Sequence, residues 1–149
     1  LFKSKKKLKI RTREFMPEYK TDGASGFDLR AYLPAHKDRP FRVGAGETVL
    51  IPTGISMEIP KGYEVQIRPR SGLALKEGVE AILGTIDSDF RAEVGIITKN
   101  SSTKPFYIKH GDRIAQGVLA PVTKAKFKVV NELSVTERGE GGFGSTGVK

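Results

Sequence analysis

The sequence predicts an all-β fold: a jelly-roll-like sandwich or barrel of short strands, with a flexible glycine-rich arm at its C-terminal end. Three observations carry this. Apolar residues alternate with polar ones at period 2 and do not recur at 3.6. The alternating segments are short, bounded by Gly, Pro, Asn and Asp, and several recur about every ten residues, as sandwich and jelly-roll strands do. Only residues 71–76 have the composition of a helical turn.

The segment 8–11 lies in Lys7-Leu8-Lys9-Ile10-Arg11, which puts cations on one face and apolar side chains on the other, the pattern of an edge strand. Residues 27–32 follow Gly26 and alternate Phe27, Leu29 and Ala31 with Asp28 and Arg30. Strands 48–51 and 55–59 flank the turn Pro52-Thr53-Gly54, and 63–67 lies between Gly62 and Pro69. Strands 81–86 and 93–98 flank a polar tip around Asp87 and Asp89. Strand 106–108 follows Pro105, 114–121 follows the turn Gly111-Asp112, and 127–130 is the last. Beyond Glu132 the composition changes, with five glycines between Gly139 and Gly147 around Phe143. Glycine loses the most entropy on ordering, so this stretch is expected to stay mobile until a ligand or partner orders it. The expected organisation is one domain over 1–137 and a mobile arm over 138–149.

A chain of 149 residues suits one domain, and at that size roughly 70% of the unfolded surface is buried. With no cysteine, disulfides and thiolate metal sites are excluded, which fits a reducing compartment. No apolar run approaches the ~20 residues of a membrane span, and no signal-peptide core is seen. The chain begins with Leu1, so a trimmed N-terminus is expected, with a cytoplasmic location, or a nuclear one in a eukaryote. The net charge of +9 suggests an anionic partner, nucleic acid or polyphosphate. No helix and no aromatic-and-basic strand pattern marks a groove reader or stacking platform, so neither a nucleic-acid nor a membrane partner is expected.

Five clusters offer chemistry. Ala24-Ser25-Gly26-Phe27-Asp28-Leu29 places a carboxylate after a glycine turn, where it either orients a cation's water, holds an arginine or merely caps the turn. Arg68-Pro69-Arg70-Ser71-Gly72-Leu73 combines guanidinium, hydroxyl and a glycine-exposed amide, a phosphate cradle or a plain turn. In Gly84-Thr85-Ile86-Asp87-Ser88-Asp89-Phe90-Arg91 the two aspartates share one face of an extended chain. One of them suits a general base for water, and the other a pair with Arg91. Gly111-Asp112-Arg113-Ile114-Ala115-Gln116 adds a neutral amide at a turn entering a strand. The tail matches GxGxxG from Gly139 and nearly matches a P-loop, but no helix can follow before Lys149, so both motifs fail. What remains is Arg138, Ser145, Thr146 and glycine amides as phosphate donors, with Phe143 able to stack on a base. His36 and His110 lack metal-ligand spacing and read as structural or solvated.

In this order and spacing, stretches 24–29, 68–73, 84–91, 111–116 and 138–147 resemble the five motifs of the homotrimeric dUTP pyrophosphatase (dUTPase) family. The resemblance covers nearly all of the chain after Leu8. It implies a jelly-roll subunit in a homotrimer with sites at the subunit interfaces. The first, second and fourth motifs would come from one subunit, the third from a neighbour and the tail from the remaining one. The implied reaction is dUTP plus water giving dUMP and pyrophosphate, with Mg²⁺ on the triphosphate. Such a reaction keeps uracil out of DNA and supplies dUMP for thymidylate synthesis. Asp87 would hold the attacking water, and Phe90 would pack on the deoxyribose. A hairpin of the strands around Gly84 and Gly95, with Leu83 and Ile86, would read uracil through main-chain groups. Arg70, Ser71, Gly72 and Gln116 would contact phosphates, and Asp28 would act through a Mg²⁺-bound water or through Arg70. From the tail, Arg138, Ser145 and Thr146 would reach the outer phosphates, while Phe143, beside Gly144, would cover the base.

Three positions depart from the family pattern: Phe90 replaces the usual tyrosine, Ala92 a common glycine and Gly117 a larger apolar residue. The related dCTP deaminases are similar in fold but look to carry a catalytic glutamate ten residues after this aspartate. Here that residue is Ile97, so deamination lacks its acid/base group.

Overall fold

The computed structural model describes residues 5–148. Eleven strands run in chain order: β1 (Lys9–Thr12), β2 (Phe27–Arg30), β3 (Phe41–Val43), β4 (Thr48–Pro52), β5 (Ile55–Glu58), β6 (Tyr63–Arg68), β7 (Val79–Ala81), β8 (Gly84–Ile86), β9 (Gly95–Asn100), β10 (Phe106–Ile108) and β11 (Arg113–Pro121). One helix, α1 (Ser71–Glu77), follows β6, and a 3-10 turn spans Pro34–His36. The strands form a four-stranded sheet β2-β11-β6-β8, a three-stranded sheet β4-β9-β7 and the two-stranded ribbons β1-β5 and β10-β3. All of these pairs are antiparallel. Both sheets and both ribbons send side chains into a single apolar core, which is the jelly-roll-like arrangement expected. Among the described residues, no helix is long and apolar enough to cross a membrane.

Alternation explains most of the strands. On β6, Val65 and Ile67 are buried; on β9, Ile96 and Thr98 are buried while Ile97 and Lys99 face out. β1 keeps Lys9 and Arg11 in solvent and lays Ile10, with Leu8 before it, against the core. On β11 the neighbours Ile114 and Ala115 are both buried, because the register with β2 shifts between Arg113 and Ala115. That bulge resets the alternation and leaves Gln116 only half-buried. Helix α1 ends at Gly78, whose φ of 66° is left-handed and whose N–H donates to the Ala74 carbonyl.

The structure departs from the expected elements at five places. The strand 27–32 stops at Arg30, since Ala31 and Tyr32 donate instead to the carbonyls of Asp112 and Pro52. The strand 81–86 is broken. Its first part is β7, paired with β9; its last part is β8, paired with β6, so Ile82 and Leu83 carry the chain from one sheet to the other. The strand 93–98 begins only at Gly95, because Val94 is tied to another strand pair. Its N–H donates to the Ile55 carbonyl, and its carbonyl accepts the Thr53 hydroxyl at 2.6 Å. The segment 127–130 forms no strand: Phe127 and Val129 are almost fully exposed, and among the described residues no strand pairs with them. β3, between Pro40 and Gly44, was not expected, being too short to show a period.

Candidate active site

Register brings the first, second and fourth clusters together. Gln116 on β11 lies opposite Asp28 on β2 and Arg68 on β6. Its amide donates to the Pro69 carbonyl at 3.0 Å, and Gly26 gives it room, since a Cβ there would fall within 3.1 Å of Gln116 Cβ and nearer still to Oε1. Arg70 occupies the N-cap position of α1 with its side chain turned elsewhere, its Nε 3.6 Å from Asp28 Oδ1 and its Nη1 donating to the Arg113 carbonyl at 3.1 Å. Arg113 Nη1 lies 3.5 Å from Asp28 Oδ2. The Asp28 side chain is only 14% exposed and is held between two guanidiniums. Ser71 and Gly72 follow in the first turn of α1, both exposed, and nothing lies within 4 Å of a Cβ built on Gly72. Arg113 was given no role by sequence reasoning; its place three residues before Gln116 in the same motif was the available signal.

The third cluster forms the connection between β7 and β9. Gly84 pairs with Ile67 and Ile86 with Val65, so the register carries Asp87 to the level of Glu64. Asp87 is exposed and lines a cleft with Tyr63, Glu64 and Asp89. A turn follows it, with the Phe90 N–H donating to the Asp87 carbonyl. Phe90 is 41% and Leu83 73% exposed, whereas the Ile86 side chain is buried, so only its backbone faces the cluster's exposed side.

The expected pairing of Asp89 with Arg91 is not found. Arg91 reaches Glu58 at 4.0 Å and donates to the Ser88 carbonyl at 2.7 Å, because the turn swings its side chain toward β5. Nor do Gly84 and Gly95 pair with each other. Gly84 faces Ile67 in one sheet and Gly95 faces Pro52 in the other. The hairpin ladder runs instead from Val79–Ala81 to Thr98–Asn100, one sheet-crossing upstream of Gly84.

Asp87 and Arg70 lie toward opposite ends of β6. From Glu64 to Arg70 is six residues, about 20 Å at ~3.3 Å per residue. The tail joins neither. Arg138 donates to the Gly141 carbonyl and bends back on itself. Phe143, Gly144, Ser145 and Thr146 are exposed on successive tight turns, and Phe143 touches nothing that shields it.

A family model described as dUTPase matches residues 13–147. The chain belongs to the dUTPase family. The deoxyuridine 5'-triphosphate nucleotidohydrolase of Roseobacter denitrificans is 54% identical over 134 residues, covering 89% of this chain and 86% of its own length. That of Chlamydia caviae is 55% identical over 139 residues, covering 90% and 92%. Among solved structures, the dUTPase of Staphylococcus bacteriophage 80alpha with dUPNHPP aligns at a TM-score of 0.85 and 27% identity, covering 97% of this chain and all of that one.

For a dUTPase-family chain the donor set bears on the implied Mg²⁺. Among the described residues no three carboxylate or histidine side chains are placed to hold a metal ion together. Asp28 already faces two guanidiniums. This fits a cation carried by substrate phosphates, since Mg²⁺ keeps several waters and needs few protein ligands there.

Proposed function

We propose that this dUTPase-family chain hydrolyses dUTP to dUMP and pyrophosphate at sites shared between copies of a homotrimer, limiting uracil in DNA and supplying dUMP for thymidylate synthesis. The observation that carries the shared site is the ~20 Å between the Asp87 level and Arg70 along β6. A general base must lie within hydrogen-bond reach of its proton, ~2.6–3.2 Å from the water oxygen. One copy cannot hold a triphosphate on Arg70 and also place its Asp87 beside the α-phosphorus. Two copies can. The exposed tail supports the same reading, because Phe143, Arg138, Ser145 and Thr146 find no partner on their own barrel.

In this mechanism Arg70, Ser71, Gly72 and Gln116 hold phosphate oxygens. Asp87 of a neighbouring copy orients a water and takes its proton as the oxygen attacks the α-phosphorus. The bond from that phosphorus to the α–β bridging oxygen breaks, and pyrophosphate leaves. Asp28 fixes Arg70 and Arg113 and would meet Mg²⁺ only through a metal-bound water. The cation would neutralise charge developing on the phosphates. Phe90 packs on the deoxyribose, leaving no room for a 2′-hydroxyl. The backbone near Leu83, Gly84, Ile86 and Gly95 meets the acceptor-donor-acceptor edge of uracil. Cytosine would set like groups against it, at ~1–3 kcal/mol for each buried unpaired group. Phe143 and Gly144 then close over the base.

Pyrophosphate release measured on dUTP, dCTP, dTTP and UTP tests this. Turnover of dUTP far above the other three is expected; equal rates on all four would remove the specificity.

A further inference from the structure

The most uneven charge in the molecule borders the third cluster, whose Ser88, Asp89 and Arg91 line a cleft beside Lys7 and Lys9. Residues 5–13 carry Lys5, Lys6, Lys7, Lys9, Arg11 and Arg13, with no acid among them. From residue 7 the chain alternates strictly between exposed and half-buried, so Lys7, Lys9 and Arg11 form a row in solvent while Leu8 and Ile10 pack on the core. Lys9 is partnered by Glu58 at 2.7 Å and Arg13 by Glu93 at 3.5 Å. Lys5, Lys6, Lys7 and Arg11 have no acidic partner within 4 Å among the described residues. Lys61 adds a further cation, sharing a cleft with Lys7 and Lys9.

The geometry points to this face as a sequence-independent binding site for the phosphodiester backbone of nucleic acid. Side chains two apart on a strand are about 6.6 Å apart, so a row of them can follow a duplex strand, which carries one phosphate per ~3.4 Å of helix axis. A protein of pI 9.8 with six cations and no acid over residues 5–13 has the electrostatic footprint of a backbone binder. The row departs from the sequence-based expectation of no nucleic-acid partner. That expectation rested on the lack of a groove-reading helix and of stacking aromatics, which base recognition needs and phosphate contact does not. An anionic membrane suits the face less well, because the apolar residues between the cations are turned into the core and offer nothing for insertion.

Fluorescence anisotropy of a labelled 20-base-pair DNA duplex, titrated with the full chain between 50 and 200 mM salt, tests the proposal. Each neutralised phosphate contributes about −0.9 to the slope of log K against log salt, so engagement of four cations predicts about −3.6. The variant Lys5→Gln/Lys6→Gln/Lys7→Gln/Arg11→Gln should bind at least tenfold more weakly at low salt, with a nearly flat slope. A control with the same net charge, Lys37→Gln/Arg39→Gln/Lys99→Gln/Lys104→Gln, should bind as the parent does. Circular dichroism and thermal melts establish that both variants fold. No binding at 50 mM salt, equal weakening by the control, or tighter binding to phosphatidylserine vesicles than to DNA would each overturn it.

Discussion

Gly117 shows how one residue settles a departure from its family's pattern. A Cβ there would lie 2.6 Å from Phe27 Cζ and nearer still to Cε2, so the Phe27 ring fills the space a side chain at 117 would take. Gly117→Leu should therefore overpack the β2–β11 contact and cost about 1–3 kcal/mol. The urea midpoint reads this, and adding Phe27→Ala should return part of the loss. Asp87 makes the opposite kind of residue-level claim. It is exposed, and among the described residues its carboxylate makes no hydrogen bond or ion pair, which is compatible with the base role proposed above. Asp87→Asn should leave affinity for a non-hydrolysable dUTP analogue unchanged and lower kcat by ~10²–10⁴. Near-normal turnover would remove the base assignment.

The ribbon β1-β5 is tied at its surface by Lys9 and Glu58. The hydrogen bond from Lys9, then its charge, and to a lesser degree Arg91, hold the Glu58 carboxyl below its ordinary value of 4.5. A carboxylate depressed by folding adds stability above its unfolded pKa and loses it as pH falls through the folded value. Thermal melts should thus show a small deficit for Glu58→Gln at pH 7, shrinking below pH 4.5 and absent at more acidic pH. A deficit that persists in acid would mean that packing, and not charge, ties the ribbon. The other decisive element is the β7-to-β9 connection. Thr53 and Ile55 pin its end at Val94, while β6 holds its middle at Gly84–Ile86. Asp87 and Phe90 are left on a short exposed turn between the two anchors.

In the whole molecule, the proposed function places the arm beside another copy. From Val122 to Val148 the chain is exposed except at half-buried Gly141, with Phe127, Val129, Leu133, Val135 and Phe143 in solvent. A chain lacking residues 138–149 should keep its assembly by light scattering and lose most of its activity. A sharper test mixes two inactive variants, Asp87→Asn and Arg70→Ala, after unfolding and refolding together. Shared sites predict recovered hydrolysis, since a mixed ring contains interfaces with both groups intact. Sites complete within one copy predict none.

The alternation of Leu8, Phe27, Val65 and Ile96 was enough to place most strands, and residue type alone placed Asp28, Arg70, Asp87, Gln116 and Arg138 in their clusters. Both are local properties, carried by side-chain period and by chemistry within a few residues. Tertiary structure alone decided that the run 81–86 divides between two sheets, that Gly84 and Gly95 face different partners, and that Arg113 helps to hold Asp28. It also decided that 127–130 pairs with no strand among the described residues. Each of these depends on which distant segment supplies the facing hydrogen bonds or charges, and a strand's period is silent about its neighbour.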